Sequence, residues 1–514
     1  MGEPTKPVGL KRTRLATAIS VVATASVTLI TMAQAAPGLS IQPSVQVSQT
    51  LTDNVNLSST NRTSEAITLV TLGVGLGSQS GRLRGFLNFG LTGKFYASGS
   101  SSNSISNQNA LASNFDVEVI DGHGFVNVSA TVAQSAVSSF GAQTDATGLA
   151  NANTTEVRTL RVSPRWQGQL SDVAKYGVAG SYSVSDAKGT SAGGSNSSSL
   201  RAQVSNANSA RLGWGLNASR QVSGFNGGRT TSSNRVVGSV SLRVDELDLQ
   251  LGANAGRETS DLTTAQQTNA GTWGLNGAWA PSPRTKFNAQ SEQRPFGKTY
   301  RLDFDYRTAL TVWRLTDSRS LSTSGNQLLI GSRGTVFDLY FDQFASLEPD
   351  PVKRVDLVNT FLRDNGINPA ATVSQGFLSS AATIQDRRLA SVGYRLPRGT
   401  ATLTVSRSKS RRADTLSTAA DDLSSAADVS QQSISLSLSH RLTPELAGSL
   451  ALSTLKSEGS TAAQSNNQRA ALLTFSGSLS RRAGWSLTLR RTLYETSLVP
   501  YAESALIGTM GMRF

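Results

Sequence analysis

His123 and His440 are the two side chains whose ordinary pKa lies near neutrality, and neither stands among residues that would put it to work. His123 sits in Asp121-Gly122-His123-Gly124, and His440 shortly precedes Thr443-Pro444, both turn compositions. General acid–base chemistry needs a positioned partner within hydrogen-bond reach. No nucleophile elbow, phosphate-binding glycine loop or metal-ligand spacing accompanies either histidine. The absence of cysteine removes thiol catalysis, thiolate metal sites and disulfides together. An enzyme is therefore disfavoured, and no cofactor or metal is expected.

The cations are more informative, because they keep a parity. Arg82, Arg84 and Lys94 alternate with Leu83, Leu87, Leu91 and Phe95, and Arg161 and Arg165 alternate with Leu160, Val162 and Trp166. Arg243, Arg301, Arg307 and Arg490 fall on the same polar parity of their segments. Facing them are Asp116, Glu118, Asp248, Asp303 and Asp305. Two readings follow. One is a basic-leaning track that lowers the barrier for a polyanion without holding it tightly. The other is a wall of mutually satisfied ion pairs with no ligand. Trp166, Tyr182, Trp214, Trp273, Trp279 and Trp485 take the apolar parity and suit interfacial girdles better than sugar-stacking platforms.

Such a parity requires strands, since side chains of a strand point alternately to its two faces. Alternation runs through the chain in pieces of about ten residues, the length of a tilted transmembrane strand. In Ser433-Ile434-Ser435-Leu436-Ser437-Leu438-Ser439 the apolar residues would face lipid and the serines a wet interior. Roughly 22 such segments (range 18–22) predict an all-β transmembrane antiparallel barrel, the even number expected of one bacterial chain. Tight links such as Leu396-Pro397-Arg398-Gly399 and Arg482-Ala483-Gly484 alternate with long polar links such as 136–155 and 410–430. Short periplasmic turns and long outer loops follow that order.

Residues 320–385 break the pattern. Asp350, Pro351 and Gly366 suit the start and end of a helix. Between them Val352, Val355, Val358, Phe361 and Leu362 recur at helical spacing, behind an aromatic stretch from Val336 to Leu347. This partly helical insert reads either as a plug or lid over the pore, or as a cap on the loop ends.

Residues 1–35 read as a secretory signal peptide: a basic start, an apolar stretch from Leu15 to Met32, and the small-x-small site Ala33-Gln34-Ala35. Residues 36–514 would then be the barrel, with its strand pattern starting near Leu39. That start leaves little room for a preceding plug domain and disfavours a plugged, energy-coupled importer. At the other end Leu506, Met510, Met512 and Phe514 share one strand face. A terminal aromatic such as Phe514 is the signal that barrels present to the assembly machinery. The formal charge of +14 becomes +11 once Glu3, Lys6, Lys11, Arg12 and Arg14 are discounted. In an exported chain this balance points to anionic polysaccharide or lipopolysaccharide phosphate rather than nucleic acid.

LTDNVNLS at 51–58, RPFGKTYRLDFDYRTALTVW at 294–313, TVFDLY at 335–340, DPVKR at 350–354, GFLS at 376–379 and the Phe514 end carry a further resemblance. With them the chain resembles the outer-membrane barrel family associated with exosortase (PEP-CTERM) systems. The resemblance implies a Gram-negative outer-membrane barrel encoded beside exopolysaccharide and exosortase genes and serving polymer export. It brings no catalytic residues. The expected function is a porin-like conduit for an anionic exopolysaccharide, in contact with outer-membrane lipid and periplasmic export components. The alternative is a non-conducting scaffold barrel that anchors surface polymer or partner proteins.

Overall fold

The computed structural model describes residues 38–514 except 99–106, 143, 145–147, 150, 191, 208–210, 328–353, 355–356, 359–375, 415, 419, 481 and 498. The signal-peptide reading of residues 1–35 lies outside them.

The alternating segments form long strands. The first are β1 (Leu39–Thr52), β2 (Glu65–Gln79), β3 (Leu83–Tyr96), β4 (Asn107–Ile120), β5 (Gly124–Ala136) and β6 (Thr154–Gln169). Next come β7 (Ala174–Ala187), β8 (Ser195–Asn206), β9 (Leu212–Phe225), β10 (Thr231–Val244), β11 (Leu249–Ser260) and β12 (Thr268–Ser282). They are followed by β13 (Thr285–Arg294), β14 (Gly297–Arg307), β15 (Thr311–Ser322), and the short β16 (Asn326–Gln327) and β17 (Phe377–Leu378). The last are β18 (Thr383–Leu396), β19 (Gly399–Arg412), β20 (Val429–Arg441), β21 (Leu446–Glu458), β22 (Ser465–Ser478), β23 (Ala483–Thr496) and β24 (Tyr501–Arg513).

All but β16 and β17 belong to one 22-stranded antiparallel sheet. β1 pairs with β24 from Ser44↔Arg513 to Thr52↔Ala505, which closes the sheet into a barrel. Closure leaves no open edge in the 22-stranded sheet, the condition for β-structure in a bilayer. The wall keeps the alternation of the sequence. On β19, Leu403 and Val405 are exposed on the outside, while Thr402, Thr404 and Ser406 are buried on the inside. Leu506, Met510 and Met512 of β24 likewise lie on the exposed outer face, and the backbone N–H of Phe514 donates to Pro43 O at 3.0 Å.

The links sort by length. Those at 80–82, 121–123, 170–173, 207–211, 245–248, 283–284, 308–310, 397–398, 442–445 and 479–482 share one end of the barrel with Leu39 and Phe514. The links at the other end include 53–64, 97–106, 137–153 and 413–428. The short end is periplasmic and the long end extracellular. Residues 295–296 are an exception, a tight turn at the extracellular end. Gly297 closes it at φ 117°, which a side chain would strain. Outward aromatics Trp166, Trp214, Trp279, Trp313, Tyr394 and Trp485 gather toward the periplasmic end.

The insert is shorter than the sequence suggests. Residues 320–322 and 383–385 belong to β15 and β18, because their alternation continues the ladder Ser320↔Gln385 to Ser322↔Thr383. Arg354, Leu357 and Val358 are helical, and Val358 is fully buried. The other residues of the predicted helix and the whole aromatic stretch lie outside the described residues.

Candidate functional site

The lumen differs between its two halves. At the extracellular end, links fold inward and pack on the inner wall. The β5–β6 link lies across it: Leu149 packs with Val55, Leu57, Ile67, Leu69, Tyr494 and Tyr501. Tyr96 donates its hydroxyl to Gly148 O at 2.8 Å, and Tyr494 donates to Phe140 O at 2.9 Å. Asn466 of β22 donates its side-chain amide to Ser139 O at 2.8 Å. Chain leaving β5 is thereby pinned to the far side of the barrel seam.

A second bridge comes from the ends of the insert. Leu378 packs on Val157, Ala187 and Ala192, and its N–H donates to Val137 O at 3.3 Å. It approaches Gly193 so closely that a Cβ there would lie 2.7 Å from the leucine, and Gly193 has φ 84°. A glycine is needed on both counts. Phe377 packs on Leu423, Ala426 and Val429, the surroundings of the one-turn helix α1 (Asp422–Ser425).

Charges lock these links. Arg412 donates to Asp421 at 2.6 Å, and the Asp421 side chain is fully buried. Asp421 also accepts from Ser380 N–H at 2.8 Å. Arg229 reaches Asp414 at 3.3 Å and donates to Asp261 O at 2.6 Å. Asp422 accepts from the N–H and hydroxyl of Ser139 at 2.6 and 2.7 Å. Burial pushes the Asp422 carboxyl above its ordinary value of 3.8, and the serine hydrogen bonds pull the other way. The docked link thus binds a proton more tightly than the released one. Docking strengthens as pH falls from neutrality through the raised pKa, and weakens as pH rises through it. Protease cleavage within 137–153 is expected to slow on mild acidification, and Asp422→Asn is expected to abolish that dependence. Cleavage rates that ignore pH in both proteins would contradict it.

From mid-height to the periplasmic end, inward side chains of β6 to β14 are mostly exposed or half-buried instead. Arg161, Arg165, Arg201, Arg243 and Arg301 face this space, as does Arg84 on β3. Arg307 of β14 lies on the same inner parity, and Lys94 points inward half-buried on β3. Arg82 lies in the β2–β3 turn, just outside the wall. Several cations are committed to carboxylates. Arg165 binds Asp116 at 2.8 Å, Arg301 binds Asp303 at 3.0 Å, and Arg243 stands 3.7 Å from Asp245. Asp305 is taken by Arg314 at 2.9 Å. Arg84, Lys94, Arg161 and Arg201 have no carboxylate within 4.0 Å among the described residues.

Arg490 is different. It binds Glu503 at 2.7 Å, with both side chains buried, and Thr52 donates to the same carboxylate at 2.8 Å. It holds β23 to β24 near the seam and is not presented to the lumen. Arg490→Ala would leave Glu503 buried and unpaired, and is expected to cost about 3–5 kcal/mol. A matching fall in the urea midpoint of the refolded barrel would check this, and an unchanged midpoint would refute it.

Arg201 was absent from the sequence-derived track, although Leu200, Ala202 and Val204 flank it at period two. Its surroundings, Ser197-Ser198-Ser199 and Gln203, dilute the apolar signal. The histidines stand at the periplasmic rim, away from the lumen cations. His123 stacks on Trp166 at 6.1 Å, and its Nδ1 lies 3.0 Å from Gln167 O.

No protein-family model and no curated protein matches the chain. Among solved structures it is similar to the siderophore receptor PirA from Pseudomonas aeruginosa, at 9% identity over 92% of this chain and 80% of that one, with a TM-score of 0.43. It is also similar to the FrpB iron transporter from Neisseria meningitidis (F5-1 variant), at 12% identity over 93% and 83%, with a TM-score of 0.48. Likenesses this distant carry nothing about function. By its own closure, outer apolar face and link asymmetry, the chain is a 22-stranded β-barrel of the Gram-negative outer membrane, with links of its extracellular end folded inward.

Proposed function

We propose that the protein is a gated outer-membrane conduit for export of an anionic exopolysaccharide. The observation that supports this reading most is the pairing of two features in one lumen. Cations without carboxylate partners, Arg84 at the periplasmic end and Arg161 and Arg201 at mid-height, are exposed inside the barrel. Above them links folded inward at the extracellular end are held through hydrogen bonds and ion pairs, which can part without breaking the wall. A polyanion entering from the periplasm would meet favourable potential first and the gate second. Cations spread around a wide wet wall attract a polymer without trapping it. The resemblance to exosortase-associated barrels agrees with that cargo. Contacts with the assembly machinery at Phe514 and with periplasmic export components belong to the same reading.

Purified barrel in a planar bilayer tests it. Anion-preferring openings, rare in the intact protein and frequent once the mouth is loosened, are expected. A barrel that stays silent after loosening would refute the conduit. One observation favours the second reading, a non-conducting scaffold. Inward Thr402, Thr404, Ser406, Ser408 and Ser410 of β19 are buried, so this part of the wall is covered.

A further inference from the structure

The outer surface of β19 changes character in a single step. From the periplasmic to the extracellular end its outward positions read Leu403, Val405, Arg407, Lys409, Arg411, and all five are exposed. The intervening positions, Thr404 to Ser410, carry only hydroxyls and are buried on the inner face. These three cations therefore point away from the lumen and belong to no transport path.

Neighbouring strands repeat the step. Arg407 stands opposite Arg388 of β18, and on its other side opposite Gln432 of β20. Gln432 in turn stands opposite Lys456 of β21. Some of these charges are partly neutralised: Arg388 lies 3.3 Å from Asp317, Lys409 lies 3.0 Å from Asp428, and Lys456 pairs with Glu458. Arg407 and Arg411 have no carboxylate partner within 4.0 Å among the described residues.

A lipid-facing cation is strongly disfavoured at the bilayer midplane and nearly neutral at the interface. The step from Val405 to Arg407 thus marks where hydrocarbon ends in the outer leaflet. The opposite, periplasmic boundary of this wall is aromatic, with Trp313 on β15 and Tyr394 on β18. Aromatic rings suit a generic interface. Exposed guanidinium groups suit phosphate, which they can grip through two parallel hydrogen bonds.

We propose that the outward face of β18, β19 and β21 is a binding surface for the phosphate groups of outer-leaflet lipopolysaccharide, with Arg407 and Arg411 as its principal contacts. The site lies outside the lumen and does not depend on the conduit reading.

The test uses the full barrel in detergent, with bisphosphorylated lipid A and its dephosphorylated form as probes and native mass spectrometry as readout. The intact barrel should retain the bisphosphorylated probe and release the other. Arg407→Gln with Arg411→Gln should weaken retention by roughly 30-fold, the product of about 1 kcal/mol for each cation at an anionic membrane surface. Arg407→Lys with Arg411→Lys should keep most of it, and Arg161→Gln in the lumen should change nothing. Equal retention of both probes by the intact barrel would overturn the proposal without need of any variant. So would full retention by a folded glutamine double variant. Displacement of lipid A by a soluble uronate polymer at equal charge concentration would also overturn it, as the mark of a general polyanion surface.

Discussion

Replacing residues 138–152 by a short glycine–serine link is expected to raise single-channel conductance several-fold and to make openings long-lived. The β5–β6 link contributes Leu149 to the apolar cluster beneath the seam and Ser139 to the hydrogen bonds with Asp422. It also accepts from Tyr494 and Asn466. None of these contacts belongs to the sheet, whose strands pair through their own ladder on both sides of the link. The barrel should therefore survive the replacement, as shown by unchanged heat-modifiable migration. A milder form is Asp422→Ala with Arg412→Ala, which removes the Ser139 acceptor and leaves Asp421 buried without its partner. That variant should flicker open rather than stay open. Conductance unchanged by either variant, in a folded barrel, would mean that these links do not gate.

Arg84→Glu, Arg161→Glu and Arg201→Glu together are expected to turn an anion-preferring pore into a cation-preferring one. All three are exposed inward side chains, Arg84 at the periplasmic end and Arg161 and Arg201 at mid-height, and lack carboxylate partners among the described residues. Each change therefore alters the potential felt by a passing ion instead of rearranging an ion pair. The effect should be largest at low ionic strength, because the Debye length is about 10 Å at 0.1 M salt and about 30 Å at 0.01 M. Reversal potentials in a salt gradient read it directly. Arg301→Glu serves as contrast: it would break the pair with Asp303 and act mainly on stability. If the triple variant kept the selectivity of the parent, the cations would not line the conducting path.

Much of this was legible beforehand because it follows from local covalent geometry. A strand turns successive side chains to opposite faces whatever lies around it. Leu160, Val162 and Trp166 therefore place Arg161 and Arg165 inside, and the structure puts them there. The same parity places Trp214 and Trp279 outside. Parity identifies a face and leaves the partner open. Arg165 and Arg301 are held by carboxylates, and Arg490 is buried against Glu503, so equal positions in the pattern have different chemistry. The link at 137–153 illustrates the opposite limit. Its Ser, Asn, Gly and Ala composition reads as solvated loop, yet its few apolar residues, Phe140 and Leu149, find burial against strands far away in the chain.

The division is physical. The amino-acid sequence by itself determined the strands, their even number, their two faces and which end of the barrel carries the short turns. All of these rest on period-two alternation and turn residues acting over a few positions. Only the tertiary structure decided which links fold inward and what they pack on, which cations keep their charge free, and where the insert begins and ends. Those depend on contacts such as Tyr494 with Phe140, 354 residues apart, which come into being once the first strand meets the last.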